Sequence, residues 1–290
     1  MTASVPTAGA SRRSAGTAPG RARAATPQGQ AGLDALLSRP RQALIGTDFD
    51  GTLAPIVADP GAARALPGAV PALRRLAPAV GTLAVITGRP AAEAVAYGGL
   101  DAIPGLIVLG HYGWERWQDG ELTGPDSPPA VQAARQALPG VLSRAGAPDG
   151  TWVEDKGHAL AVHTRRAAAP EPALRLLRGP LEDLAARLGL VAEPGRMVIE
   201  LRPPGMDKGT ALTGLVAERA AGAVLFCGDD LGDLPAFAAV RALRADGILG
   251  CAAASASAES PQVAAAADLV VDGPEGIVAL LAAIAAELGC

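Results

Sequence analysis

Asp48 and Asp50 follow a short apolar run, Ala43–Thr47, in the order Asp48-Phe49-Asp50-Gly51-Thr52. Residues two apart on a strand face the same side, so these carboxylates converge if the strand continues through them. Gly51 then lets the chain turn. Neighbouring carboxylates repel unless a cation or a shared proton relieves them, and an oxygen-rich site of this kind suits Mg2+. Three further segments carry complementary groups. Thr87-Gly88-Arg89 ends a second apolar run and offers a hydroxyl and a guanidinium to an anionic ligand. Lys208 follows Gly205-Met206-Asp207 and opens a helical stretch, which sets an ammonium beside a helix N-terminus. Gly228-Asp229-Asp230-Leu231-Gly232-Asp233 follows a third apolar run and holds three acids in five positions. Taken singly, any one of these acids reads better as a turn or helix cap, because a first-turn carboxylate complements the helix dipole. All four segments together read as one site.

The elements that must position these groups follow from periodicity. Ala43–Thr47, Thr82–Thr87, Leu106–Leu109, Ala223–Cys227, Ile248–Cys251 and Leu269–Val271 are short apolar runs typical of buried strands. Helical spacing lies between them, in Pro67–Val80, in an Ala-rich stretch after Pro90, in Lys208–Ala221 and in Ile277–Leu288. Strands alternating with helices imply an α/β fold, a Rossmann-like parallel sheet covered on both faces. The four segments then sit at the C-terminal ends of strands, where such sheets place their ligands. Residues 111–204 read differently, with hairpins around Asp119-Gly120, Lys156–Ala159 and Pro194–Arg196 and helical stretches over 128–144 and 172–188. This pattern predicts an α+β module inserted into a core made of residues 31–110 and 205–290.

With 49% hydrophobic and 19% charged residues the chain is globular, and a net charge of −4 leaves no broad basic surface for nucleic acid. Residues 1–30 hold Arg12, Arg13, Arg21 and Arg23 and no acid, so the remainder carries −8. This leader lacks apolar periodicity, and Pro19, Gly20, Pro27 and Gly29 break any amphipathic helix, so it is expected to be a disordered tail. The most apolar stretch, Ile277–Ala286, is too short to span a bilayer. Cys227, Cys251 and Cys290 are scattered and odd in number, which fits a reducing cytoplasm. Cys227, on a buried strand, reads as packing.

Asp48–Leu53 (DFDGTL), Thr87 within ITGR, Lys208 within DKGTAL and Gly228–Asp233 (GDDLGD) resemble the four motifs of the haloacid dehalogenase superfamily of phosphatases. The first of these is highly specific. Thr87 follows Asp50 by 37 positions, too few for a sizeable insertion, whereas Lys208 follows Thr87 by 121. That spacing resembles the superfamily's C2 arrangement, in which an α+β cap is inserted. Gly110–Glu115 (GHYGWE), Val153–Lys156 with His163 and Arg165, and Glu200–Pro203 are similar to segments of the trehalose-6-phosphate phosphatase family. Two positions depart from the usual motifs: Thr87 where Ser is common, and GDDLGD where many relatives have GDDxTDE.

The resemblance implies a sugar-phosphate substrate and a nucleophilic Asp48. Asp50 would be general acid and then base, and Thr87 and Lys208 would hold the phosphoryl oxygens. Mg2+ would be held by Asp48, the Asp50 backbone carbonyl and Asp229, with Asp230 and Asp233 supporting. Arg89, Glu115, Lys156, His163, Arg165 and Glu200 become candidate substrate contacts. Plainer readings stand beside these. Glu154 and Lys156 read as a solvated charge pair, His163 as a satisfied buried histidine, and Trp114, Trp117 and Trp152 as cap core rather than sugar platforms. The alternative within catalysis is a related capped enzyme, either a phosphatase of sucrose phosphate or mannosyl-3-phosphoglycerate or a phosphomutase acting on a hexose phosphate. A silent sugar-phosphate binder is the alternative outside catalysis, and retention of both Asp48 and Asp50 argues against it.

Overall fold

Ala43–Thr47 is buried along its whole length, as a strand covered on both faces must be. In the computed structural model, which describes residues 23–57, 59–195, 197–256 and 261–290, this strand (β1) lies inside a large sheet. It is followed by β2 (Thr82–Ile86), β3 (Ile107–Gly110), β4 (Glu115–Gln118) and β5 (Glu121–Thr123). A second group, β6 (Trp152–Asp155), β7 (Leu160–His163), β8 (Val191–Gly195) and β9 (Val198–Arg202), forms a separate antiparallel sheet in the order β6-β7-β9-β8. The chain then returns with β10 (Ala223–Gly228), β11 (Leu249–Ala256) and β12 (Leu269–Asp272), and the large sheet reads β12-β11-β10-β1-β2-β3-β4-β5. Its strands from β12 to β3 are parallel, and β4 and β5 are antiparallel additions. Strand order reverses between β1 and β10, so the chain leaves a crevice at the carboxyl ends of those two strands.

The helices are α1 (Pro27–Ser38), α2 (Ala69–Leu76), α3 (Ala91–Gly98), α4 (Pro129–Arg144), α5 (Pro170–Leu188), α6 (Lys208–Glu218), α7 (Leu234–Ala245), α8 (Pro261–Ala266) and α9 (Gly273–Glu287). Alternate residues of β1 feed opposite cores. Ala43 and Ile45 pack with α1, α2, α3 and α9, whereas Leu44 packs with α6 and α7. The second core includes Phe226 and Phe237, edge to face at 6.2 Å, and truncating either ring to Ala would cost about 3–5 kcal/mol. The small sheet keeps its own core, in which Leu160, Val162, Ile199 and Leu201 face Leu138, Leu177 and Leu181 of α4 and α5.

Two expectations are corrected here. The hairpin at Asp119-Gly120 forms as predicted, but β4 and β5 extend the large sheet rather than opening the inserted module. Turn chemistry fixes the hairpin, while the exposed edge of β3 decides what it joins. The tail, expected to reach residue 30, gives way to α1 at Pro27; the expected leader up to residue 22 lies outside the described residues. Pro27 occupies the first helical turn, where its missing N–H costs nothing. Thr26 caps the helix by accepting from the Gly29 N–H at 3.0 Å and donates to Asp268 Oδ1 at 2.5 Å. A Cβ at Gly29 would lie 2.3 Å from that of Asp268, so the glycine permits docking instead of breaking the helix. Among the described residues no helix is long and apolar enough to cross a membrane.

Candidate active site

At the carboxyl end of β1 the strand stops at Thr47, and Asp48 is 4% exposed. Lys208, first residue of α6, reaches it with Nζ 2.9 Å from Asp48 Oδ1 and 2.7 Å from Asp233 Oδ1. Asp207 caps this helix by accepting from the Thr210 N–H at 2.8 Å, which sets Lys208 at the cationic end of the helix dipole. From the loop after β10, Asp229 accepts from Thr52 Oγ1 at 3.1 Å. Asp233 Oδ2 accepts from the backbone N–H groups of Asp229 and Asp230 at 2.9 and 3.1 Å. Gly51 (φ +72°) passes so close that a Cβ there would sit 1.9 Å from Asp229 Oδ2. Only glycine fits both that turn and that approach. Ser255 Oγ, from β11, donates to the Gly51 carbonyl at 2.7 Å and pins the loop.

The electrostatics are those of crowded acids with one internal cation. Burial raises the Asp48 carboxyl well above its usual range; Lys208 opposes this, and Asp233 and Asp229 add to it. Asp229 is pushed up to about 8, first by burial and then by Asp233 and Asp230. Burial disfavours the Lys208 ammonium, but Asp233 and Asp48 outweigh it and hold the proton firmly. Carboxylate oxygens of Asp48, Asp229 and Asp233 lie within 4.8 Å of one another. A buried set of mutually repelling hard oxygen donors fits a hard divalent cation. Both Asp233 oxygens are already engaged, which leaves Asp48 and Asp229 as the freer donors.

The remaining predicted residues divide into those the structure brings together and those it does not. The Asp50 carboxylate lies outside the acidic cluster. Arg89 forks onto it, with Nε 2.6 Å from Oδ2 and Nη2 2.7 Å from Oδ1. The expected convergence of Asp48 and Asp50 therefore fails, because the strand ends before Asp50 and a guanidinium captures it. Thr87 is buried, and its Oγ1 accepts from the Arg89 N–H at 3.2 Å. Asp230 is exposed and caps the following turn.

On the inserted module, Lys156 Nζ lies 3.5 Å from Glu200 Oε2. His163 pairs with Glu154 at 2.8 Å, a bond that lowers the Glu154 carboxyl. Glu115 is turned inward: Oε2 accepts from the Ala91 N–H of α3, and Oε1 faces His111 and His158, each at 3.5 Å. Arg165 is exposed. Trp117 packs on the large core, while Trp152 is stacked between His163 and Arg166, so neither joins the core of the module. Cys227 is buried and unpaired, and burial pushes its thiol up, as packing requires.

Sequence reasoning passed over Thr52, Ser255, Tyr112 and His158 as site residues. Thr52 was legible within the first motif. The others reach the site across large sequence separations that no local pattern encodes.

Residues 46–275 match the trehalose-phosphatase family. The chain is 33% identical over 218 residues to the trehalose-phosphate phosphatase of Mycobacterium marinum, covering 70% of this chain and 53% of that protein. It thus spans about half the length of the curated relatives it matches. The structure of Aspergillus fumigatus trehalose-6-phosphate phosphatase aligns with a TM-score of 0.64 at 25% identity, covering 91% of this chain and 99% of that one. The C-terminal domain of the C. albicans trehalose-6-phosphate phosphatase aligns at 0.72 and 21% identity, over 92% and 99% of the two chains, which speaks for the fold alone. Motifs, carboxylate cluster and inserted module thus share one explanation: the chain belongs to the trehalose-phosphatase family.

Proposed function

We propose that this chain hydrolyses trehalose 6-phosphate to trehalose and phosphate through a phosphorylated Asp48. The observation that carries this reading is the Asp48 carboxylate, buried at the carboxyl end of β1 and held by Lys208 at 2.9 Å. Asp48 Oδ attacks phosphorus, the P–O bond to the sugar breaks, and Asp50 gives its proton to the departing sugar oxygen. A water then attacks the same phosphorus, loses its proton to Asp50, and frees Asp48. Dividing one displacement into two lowers the barrier of each. Thr87 and Lys208 hold the non-bridging oxygens, where charge must be met through the transition state.

Arg89 sets the resting orientation of Asp50. Both Asp50 oxygens accept from the guanidinium, so one must leave that fork before Asp50 can serve a proton to the substrate. Asp48 and Asp229, with the Asp50 backbone carbonyl, would hold Mg2+, which neutralises charge on the transferring group when bound. Asp233 positions Lys208 and the backbone carrying Asp229. Lys156, Glu200 and the Glu154–His163 pair supply charge-assisted partners for sugar hydroxyls, and sites of that kind reject analogues lacking the hydroxyl. Three unpaired cysteines support a reducing, cytoplasmic setting.

Phosphate release from a panel of sugar phosphates tests the reading. Trehalose 6-phosphate should give the highest kcat/KM, chelator should abolish release, and Mg2+ should restore it. Preference for another sugar phosphate, or full activity in excess chelator, would overturn the substrate or the metal assignment respectively.

A further inference from the structure

Three consecutive residues after β3 adopt left-handed backbone, His111 (φ 48°), Tyr112 (57°) and Gly113 (95°). For His and Tyr this conformation costs on the order of 1–3 kcal/mol each and persists only where the surroundings impose it. Here the turn is stapled to the loop carrying Thr87 and Arg89: the His111 N–H donates to the Arg89 carbonyl and the Tyr112 N–H to the Thr87 carbonyl, both at 2.9 Å.

The turn delivers the Tyr112 ring into the seam between core and inserted module. Its hydroxyl lies so near Gly88 that a Cβ there would be 2.7 Å away. The Arg202 guanidinium, from β9, covers the ring at 4.6 Å. Tyr112 Oη also donates to Glu200 Oε2 at 3.4 Å, the same oxygen that faces Lys156 Nζ at 3.5 Å. Glu200 is 9% exposed, and its other oxygen, Oε1, is buried without a hydrogen-bond partner among the described residues. A buried carboxylate oxygen lacking a donor is costly unless something supplies one. With Oε2 held from two sides, Oε1 is left as the atom on which a ligand hydroxyl completes the set. Burial and the nearby Glu200 charge keep the phenol protonated, and hence a donor.

We propose that Tyr112 is a positioning residue for selectivity, orienting the Glu200 carboxylate so that Oε1 accepts from a substrate sugar hydroxyl and tying that carboxylate to the phosphate-holding loop at Thr87. This rests on the functional reading above, in that the module face reads a sugar phosphate. It explains why two non-glycine residues are kept in left-handed backbone, since an extended turn would not carry the phenol from the Thr87 loop to β9.

The test is Tyr112→Phe, which keeps the ring, its Arg202 contact and the ring-edge contact with Gly88 while removing the hydroxyl. For trehalose 6-phosphate, kcat/KM should fall about tenfold, carried by KM, because a hydrogen bond to a charged group is lost. For a small aryl phosphate the change should stay below about threefold, with the melting temperature held. In a Glu200→Ala background the additional loss from Tyr112→Phe should largely vanish, since the hydroxyl acts through that carboxylate. Equal losses on both substrates, a loss confined to kcat, an unaltered KM, or an undiminished effect beside Glu200→Ala would each overturn the proposal. Should the panel prefer another sugar phosphate, the functional reading falls and the same split is measured with that substrate.

Discussion

The carboxyl edge of the large sheet and the inner face of the small one hold their charges in opposite ways. In the first, Asp48, Lys208 and Asp233 are all but inaccessible and joined at 2.7–2.9 Å, with every Asp233 oxygen satisfied. In the second, Lys156 stands 3.5 Å from Glu200, one Glu200 oxygen lacks a donor, and Glu154 is half exposed. A site that stabilises developing charge works best when its dipoles are fixed beforehand. A site that discriminates between sugars works through groups whose hydrogen bonds the ligand completes. On the proposed function, phosphoryl transfer falls to the closed cluster, and selectivity to a face whose hydrogen bonds a substrate would complete.

The largest expected effect comes from the rigid side. Asp48→Asn should lower kcat on the order of 10^4-fold or more for trehalose 6-phosphate and aryl phosphate alike, with the fold retained by circular dichroism. Near-normal turnover on either substrate would break the comparison at its firmer end. Lys156→Ala should separate the two regions: kcat/KM for the disaccharide phosphate falls about 10–150-fold, while the aryl phosphate, having no second sugar, changes far less. Parallel losses would mean that Lys156 supports closure of the module instead of reading sugar.

The seam between the regions carries a pH-dependent term. Burial, then His158 and Lys156, lowers His111 from 6.5 to about 4. The unfolded chain takes up this proton near pH 6.5 and the folded chain only near 4, so stability is complete above 6.5 and lost as pH falls through that window. The loss is on the order of 3 kcal/mol. His111→Asn, whose side chain tolerates left-handed backbone, should flatten the dependence measured by denaturant unfolding at pH 7 and 4.5. An identical slope in the variant would remove His111 as its source.

The smallest effect lies farthest from both regions. Thr26→Ala, losing the α1 cap and the bond to Asp268, should cost about 1 kcal/mol, or roughly 2–4 °C in melting temperature, with kcat/KM unaltered. No shift would show that α1 docks without its cap.

What the sequence revealed follows the same division. That Asp48, Lys208 and Asp229 come together was legible because each lies in a short segment whose residue types already suggest the chemistry, and alternating strands and helices bring such segments to one sheet edge. The Arg89 fork on Asp50 and the Tyr112 contact with Glu200 were not, because they depend on packing between segments 39 and 88 positions apart. The β4–β5 hairpin was legible from Asp119-Gly120, but its sheet was not, since turn residues fix a hairpin and not its neighbour. Pro27 and Gly29 misled for a related reason. Both residues break a helix in its interior, whereas Pro27 opens α1 and Gly29 lets it approach Asp268.

The most direct test of the central claim, that Asp48 carries the phosphoryl group, is a trapping experiment. In Asp50→Asn the second step lacks its base, so brief incubation with trehalose 6-phosphate followed by acid quench should add one phosphoryl group to the intact mass, and peptide mapping should place it on Asp48. Turnover without any such adduct, or an adduct on another residue, would contradict the account.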